Sequence, residues 1–225
     1  MSLKKGTNID ELQEKYQQHY QDFEMFGEEV VARCILDKDI SNAVPKIVYT
    51  HKYRIKQWSS LEKKLLSTSR EICPENMLTQ ISDVLGLRLI VLHPSQLLDV
   101  HKVINKNVNS GRWRFRENPK AYEGDQQYVE KFRSLGIDVE EKESYYTSLH
   151  YLVEQSSDAN ICAEIQVRTL FEEIWGEVEH FTRYKPVLGR GDKANEQQVN
   201  DEMRVLSYII STGRAHLDLI FRARQ

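Results

Sequence analysis

The chain has 225 residues, 29% of them charged and 40% hydrophobic, with a formal net charge of −3. That length can bury a substantial core without staples, and the near-neutral balance gives no global basic field for nucleic acid, so any polyanion site has to be local. Cys34, Cys73 and Cys162 are odd in number and widely spaced, and neither a charged-then-apolar leader nor a run of about 20 apolar residues is present, so the expectation is a cytoplasmic protein with reduced cysteines and no membrane partner.

Residues 8–37 open the chain with a helical segment. Leu12, Tyr16, Tyr20, Phe23, Val30, Val31 and Ile35 fall at helical spacing, with Asn8 or Asp10 available as a cap, which predicts one long amphipathic helix or a broken pair. After Pro45, the run Ile47–Thr50 with Tyr53 and Ile55 reads as a strand leading into a basic stretch, whose helix begins near Ser59 or Ser60. Asp83–Leu92 is a second predicted strand, broken by Pro94, and Ser95–Asn107 a helix with Leu97, Leu98, Val100, Val103 and Ile104 inward. Residues 109–138 are the least regular, with Gly111, Pro119, Gly124, Gly136 and the cluster Arg112-Trp113-Arg114-Phe115-Arg116. A loop that long in a compact domain is usually functional. Tyr146–Glu154 and Ile161–Val167 form a predicted antiparallel hairpin, Thr169–Tyr184 a helix, Pro186–Asn195 a linker, and residues 196–223 a long C-terminal helix.

Two carboxylates stand out because both lie on apolar strands: Asp83 opens Asp83-Val84-Leu85-Gly86-Leu87-Arg88-Leu89-Ile90-Val91, and Glu164 sits in Cys162-Ala163-Glu164-Ile165-Gln166-Val167-Arg168-Thr169. A buried unpaired carboxylate costs several kcal/mol, so such groups have a cation, an arginine or a catalytic task. The two arginines that follow, Arg88 and Arg168, leave two readings open at this point. One is a Mg²⁺ site flanked by phosphate-binding charge; the other is a pair of structural Asp/Glu–Arg bridges.

The surrounding blocks carry a resemblance. Arg54-Ile55-Lys56-Gln57-Trp58-Ser59-Ser60-Leu61-Glu62-Lys63-Lys64-Leu65 precedes Asp83; Tyr145-Tyr146-Thr147-Ser148-Leu149-His150 precedes Glu164; Trp175 and Glu179-His180-Phe181-Thr182-Arg183-Tyr184-Lys185 follow it. In this order, over about residues 46–185, the chain resembles the synthetase domain of the RelA/SpoT family. The resemblance implies an α+β, nucleotidyltransferase-like mixed β-sheet flanked by helices, with long N- and C-terminal helices and one synthetase domain over residues 1–225. It further implies transfer of pyrophosphate from ATP to the 3′ hydroxyl of GDP or GTP, with Mg²⁺ as cofactor. Asp83 and Glu164 then hold the metal, or Glu164 takes the proton of the attacking hydroxyl. Arg54, Lys56, Ser60 and Lys64 match ATP-contacting positions; Tyr146 matches a guanine-stacking tyrosine and Lys142 the lysine four residues before it. Ser148 and His150 share a strand face with Tyr146, and Gln166 and Arg168 share one with Glu164, making them candidate acceptor contacts. Arg88, His180 and Lys185 are candidate phosphate contacts.

Several positions depart from the family pattern: Tyr145 replaces its glycine, Trp58 its proline and Gln57 the preceding Ser/Thr. The hydrolase half of long relatives has no counterpart here, so the expectation is a small, synthetase-only protein. An alternative acceptor is the 3′ end of tRNA, for which Arg112, Arg114 and Arg116 with Trp113 and Phe115 offer charge and stacking surface. A non-catalytic guanine-nucleotide-binding module is a third reading, against which both acids remain. In the C-terminal helix Leu206, Ile209, Ile210, Leu217 and Ile220 are read as one core-facing stripe, with Val205 and Leu219 off it. That surplus of apolar surface predicts a homo-oligomer.

Overall fold

The computed structural model describes residues 8–44, 46–142, 147–184 and 193–223. The N-terminal apolar repeat is a broken pair, α1 (Ile9–Gln18) and α2 (Tyr20–Ile35), because His19 leaves helical geometry at φ −99° and ψ 5°. Asn8 caps α1 by accepting from the Asp10 amide at 3.0 Å, a contact that contributes about 1 kcal/mol. A single turn, α3 (Lys38–Ser41), leads to β1 (Val48–Ile55), which α4 (Trp58–Ser67) and α5 (Met77–Gln80) connect to β2 (Leu85–Val91). α6 (Ser95–Asn109) follows, burying Leu97, Val100, Val103 and Ile104. β6 (Ser148–Gln155) and β7 (Asp158–Thr169) make the expected antiparallel hairpin, and α8 (Leu170–Tyr184) and α9 (Lys193–Arg222) complete the order.

The stretch 109–138 is not the loop that its glycines suggest. It contains β3 (Trp113–Phe115), β4 (Lys120–Tyr122) and α7 (Gln126–Ser134), and then β5 (Asp138–Glu140). Gly111 and Gly136, at φ 73° and 74°, turn the chain into β3 and out of α7 in a backbone region that side chains disfavour. Trp113 is 1% exposed and meets Phe26 edge-on, while Arg114 and Arg116 bond Glu154 on the neighbouring strand at 3.0 and 3.1 Å. The Arg–aromatic alternation is therefore that of a strand with its large ring inward. This removes the exposed stacking surface on which the tRNA reading rested.

Among the described residues, seven strands form one mixed sheet in the order β1-β2-β7-β6-β4-β5, with β3 sharing the β6 edge with β4. The central pair β2–β7 is parallel, and β1 and β6 flank it antiparallel. Alternation gives the sheet two unlike faces. Leu85, Leu87 and Leu89 of β2 and Ala163, Ile165 and Val167 of β7 enter the core with Phe23, Phe26 and Val30 of α2 and Val100, Val103 and Ile104 of α6. Arg88, Glu164, Gln166 and Arg168 face the other way, toward α8.

α9 packs on α8 through a small second cluster of Trp175, Met203 and Ile210, with Phe171 and Leu206 against it. The buried stripe on α9 is Met203, Ile210 and Arg214, not the one read from the sequence: Ile209 and Ile220 are each 57% exposed. The expected face is shifted because a buried arginine, which hydropathy counts as surface, belongs to it. Arg214 lies 2.8 Å from Glu123 and 3.2 Å from Glu172. Two further expectations shift slightly: Asp83 precedes β2, and α4 begins at Trp58, with Gln57 extended as its cap.

Candidate active site

The polar face of the sheet, roofed by α8, forms a cleft of about 500 Å³. Register builds it. Antiparallel pairing sets Lys52 opposite Arg88 and Arg54 opposite Gly86; parallel pairing sets Gly86 opposite Glu164 and Arg88 opposite Gln166. Asp83, just ahead of β2, enters the same cleft as Glu164, and Arg168, Glu177, Glu179 and His180 also line it. Gly176 in the roof leaves room for the Arg168 guanidinium, since a Cβ there would stand 2.6 Å from Nη1 and displace it. On the opposite face of the sheet, Gly27 of α2 admits the Tyr53 ring, whose hydroxyl a Cβ there would meet at 2.2 Å.

The two acids do not pair with the arginines that follow them. Asp83 is held by Lys56 and by Lys64, whose Nζ lies 2.7 Å from Oδ1. Glu164 takes hydrogen bonds from Gln166 at 3.0 Å and His150 at 3.2 Å. Burial pushes both carboxyls up, but the Lys56 and Lys64 contacts outweigh it for Asp83, and the His150 and Gln166 contacts for Glu164. Both therefore sit below the usual carboxylate range and are ionised at neutral pH. The Asp83 charge also acts on Glu164, raising it, as expected of two anions sharing one site.

The arginines bond α8 instead. Arg88 Nη1 lies 3.0 Å from Glu173 and 2.9 Å from Glu177, Lys52 Nζ lies 2.8 and 3.0 Å from the same two, and Arg168 Nη1 lies 3.4 Å from Glu173. The Lys52 ammonium is the first cause that lowers Glu177 to about 2, against opposing burial. Arg168 also donates to Gln166 at 2.6 Å, linking this network to Glu164. The reading of two local Asp/Glu–Arg bridges is thus corrected: the arginines bridge strand to helix, leaving the acids to lysine and histidine. Arg54 lines the cleft and has no ion-pair partner among the described residues.

The remaining expected residues are distributed unevenly. Ser60 is exposed on α4, one turn before Lys64, outside the cleft lining. Ser148 is buried and hydrogen-bonds the Val167 carbonyl at 3.4 Å. Lys142 lines a neighbouring cavity of about 440 Å³ with Glu123, Trp175 and Arg214, but remains linked to the site: its ammonium lies 4.5 Å over Tyr122, whose ring meets His150 edge-on at 5.0 Å. Tyr145, Tyr146 and Lys185 lie outside the described residues. Sequence reading passed over Lys52, Glu173 and Glu177. Lys52 was findable, two residues before Arg54 on the same strand face; Glu173 and Glu177 share a face of α8 with His180.

A mixed sheet with one acid just ahead of a central strand and the other within its parallel neighbour, and a basic set across the same face, has the layout of a nucleotidyltransferase-like fold. The chain belongs to the RelA/SpoT family: the model of the region found in RelA / SpoT proteins matches residues 53–187. The GTP pyrophosphokinase YwaC of Bacillus subtilis (strain 168) is 25% identical over 139 residues, covering 60% of this chain and 57% of that relative's length. Small alarmone synthetase 1 from Bacillus subtilis superposes with a TM-score of 0.65 at 19% identity, over 96% of this chain and 98% of that one. Its complex with the product pppGpp superposes with a TM-score of 0.61 at 20% identity, over 94% and 97%. At such identity the structural likeness establishes the shared fold.

Proposed function

We propose that this protein transfers pyrophosphate from ATP to the 3′ hydroxyl of GDP or GTP, making the alarmone (p)ppGpp, with residues 46–185 as the synthetase core. The observation that carries this reading is the convergence of Asp83 and Glu164 in one cleft with Arg54, Arg88, Arg168 and His180. Transfer of this type asks a protein for positioning and charge neutralisation more than for covalent chemistry. The name and product of the relatives support the same choice.

The donor set fits Mg²⁺. Two ionised carboxylates facing one cleft are the hard oxygen ligands that this ion takes alongside substrate phosphates. No cluster of three or more His, Cys, Asp or Glu is present among the described residues, so substrate oxygens and water have to complete the shell. Mg²⁺ bound by Asp83 and Glu164 supplies charge neutralisation on the polyphosphate. Arg54, Lys56 and Lys64 attract the donor phosphates, with Ser60 beside them; Arg88 and Lys185 add positive charge, and His180 offers a further phosphate contact. Tyr146 stacks the acceptor base, and Lys142, His150, Gln166 and Arg168 position the acceptor, while the buried Ser148 serves the site through its strand, bonding the Val167 carbonyl. The lowered pKa of Glu164 suits a ligand held ionised better than a proton acceptor, which works best near the operating pH.

The test is incubation with γ-labelled ATP and Mg²⁺ beside GDP, GTP, GMP and deacylated tRNA. Label is expected on GDP or GTP; label on tRNA alone would replace this acceptor, and none anywhere would leave a binding module. Within an active protein, Arg54→Ala and Lys64→Ala are expected to raise KM for ATP, and Tyr146→Ala to raise KM for the guanine nucleotide by the 1–3 kcal/mol, roughly, of a stacked base. A Tyr146 variant impaired only toward ATP would reverse the assignment.

We further propose a cytoplasmic homo-oligomer. No helix among the described residues is long and apolar enough to cross a membrane. Tyr208, Ile209, Leu219 and Ile220 of α9 and Ile174 and Phe181 of α8 are each more than 45% exposed, an apolar surface that association would cover. Light scattering coupled to size exclusion over a dilution series is expected to give a multiple of the chain mass. A monodisperse single-chain mass at tens of micromolar would exclude the oligomer without touching the chemistry.

A further inference from the structure

We infer that Tyr16, in the N-terminal helix, is a positioning residue for Lys56, and that α1 is thereby part of the donor-side machinery. This rests on the proposed role of Lys56 at the ATP phosphates. Lys56 stands between β1 and α4, at a junction with no ladder or helix bonds of its own. Its two backbone groups are nevertheless both bound. The amide donates to the Val84 carbonyl at 2.7 Å, and the carbonyl accepts from the Tyr16 hydroxyl at 2.9 Å.

The two bonds have different consequences. The first ties Lys56 to the residue next to Asp83, the carboxylate its side chain grips. The second ties it to a separate element, and Tyr16 is well placed to act as an anchor. It is 5% exposed, and its ring packs at 5.8 Å against Tyr20, 6.2 Å against Phe23 and 5.7 Å against Trp58. Rotation of the hydroxyl out of line would disturb that cluster.

Trp58 explains why such an anchor is useful here. Position 58 is the first helical residue of α4, where a proline would preset φ and stiffen the helix entry. This chain has Trp58 instead, with Gln57 extended at φ −62° and ψ 148°. The stiffness comes from outside the junction: the Trp58 ring rests on Tyr16, and the Tyr16 hydroxyl holds the carbonyl two residues earlier. Lys64 on the same helix grips the other oxygen of Asp83. The angle at which α4 leaves β1 therefore sets both lysines at once.

Tyr16→Phe deletes the hydroxyl and keeps the ring. It is expected to lower kcat/KM for ATP about tenfold, the loss that one net hydrogen bond carries, with KM for the guanine nucleotide unchanged. Amide hydrogen exchange at Lys56 is expected to accelerate in the same variant, and this readout needs no turnover. An unchanged ATP constant, equal shifts in the donor and acceptor constants, or unaltered exchange at Lys56 would each overturn the assignment. Were the wild-type protein to transfer no pyrophosphate, the functional reading would fail, while the exchange comparison would still decide whether Tyr16 fixes Lys56.

Discussion

Asp83→Asn and Glu164→Gln are each expected to lower pyrophosphate transfer by about 10² or more while the protein still folds. Both substitutions keep the side-chain shape and remove the charge that a divalent cation requires. Neither acid is a core support. Asp83 precedes β2 and its side chain is 23% exposed, and Glu164 sits on the polar face of β7 at 22%. Loss of the Asp83 charge leaves Lys56 and Lys64 facing each other without their shared partner, which works against cation binding and further weakens the site. Circular dichroism and a thermal melt would establish that the fold is retained, and label transfer to GDP or GTP would report the chemistry. Turnover within a few-fold of wild type in either variant would show that the site has been placed wrongly.

Arg214→Met is expected to be the most destabilising single change outside the sheet core. Arg214 is 7% exposed and joins three elements, since Glu123 lies before α7 and Glu172 in the first turn of α8. Removing the cation leaves two carboxylates, each with 3% of its side chain exposed, without the partner they share. Deleting one partner of such a buried group costs about 3–5 kcal/mol, a fall in Tm of about 10 °C for a chain of this size. The Glu123→Gln/Glu172→Gln/Arg214→Met triple variant should recover much of the loss, because the uncompensated charge is then gone. A melt of Arg214→Met within 2 °C or so of wild type would mean that water reaches the pair.

Nearby, the same helix is tied at a second point. Asp218 accepts from the Tyr128 hydroxyl at 2.8 Å and lies 2.8 Å from His93 Nε2, while Phe221 stacks on the His93 ring at 4.2 Å. α9 is thus docked by polar groups as well as by the hydrophobic cluster that Trp175, Met203 and Ile210 form with Phe171 and Leu206 at the α8 contact. Much of its apolar surface consequently remains outward, which is the physical basis for expecting association.

Local pattern went far for this chain because its central strands are long and one-sided. The alternation Glu164, Gln166, Arg168 against Ala163, Ile165, Val167 needs only the two-residue strand repeat to assign both faces. The Asn8 cap, the helix of residues 95–109 and the hairpin of residues 148–169 were legible for similar reasons of propensity and period. The ordered blocks around Asp83 and Glu164 also carried the family. Pattern failed where elements are short. β3, β4 and β5 have three residues each, too few for a period to show, and their neighbouring glycines read as loop.

The sequence by itself determined which residues are acidic or basic on each element, and so the chemistry available to a site. Only the tertiary structure decided which of those charges meet. Parallel pairing of β2 with β7 brings Asp83 and Glu164 into one cleft, and the placement of α8 over that face gives Arg88 and Arg168 to Glu173 and Glu177. The lysines that bond Asp83 come from beyond β1 and from α4, and the tyrosine that anchors one of them comes from α1. The physical reason is range: side-chain direction along one strand or helix follows from covalent geometry and period, whereas an ion pair forms only within about 4 Å. For residues far apart in sequence, strand register and helix docking set that distance.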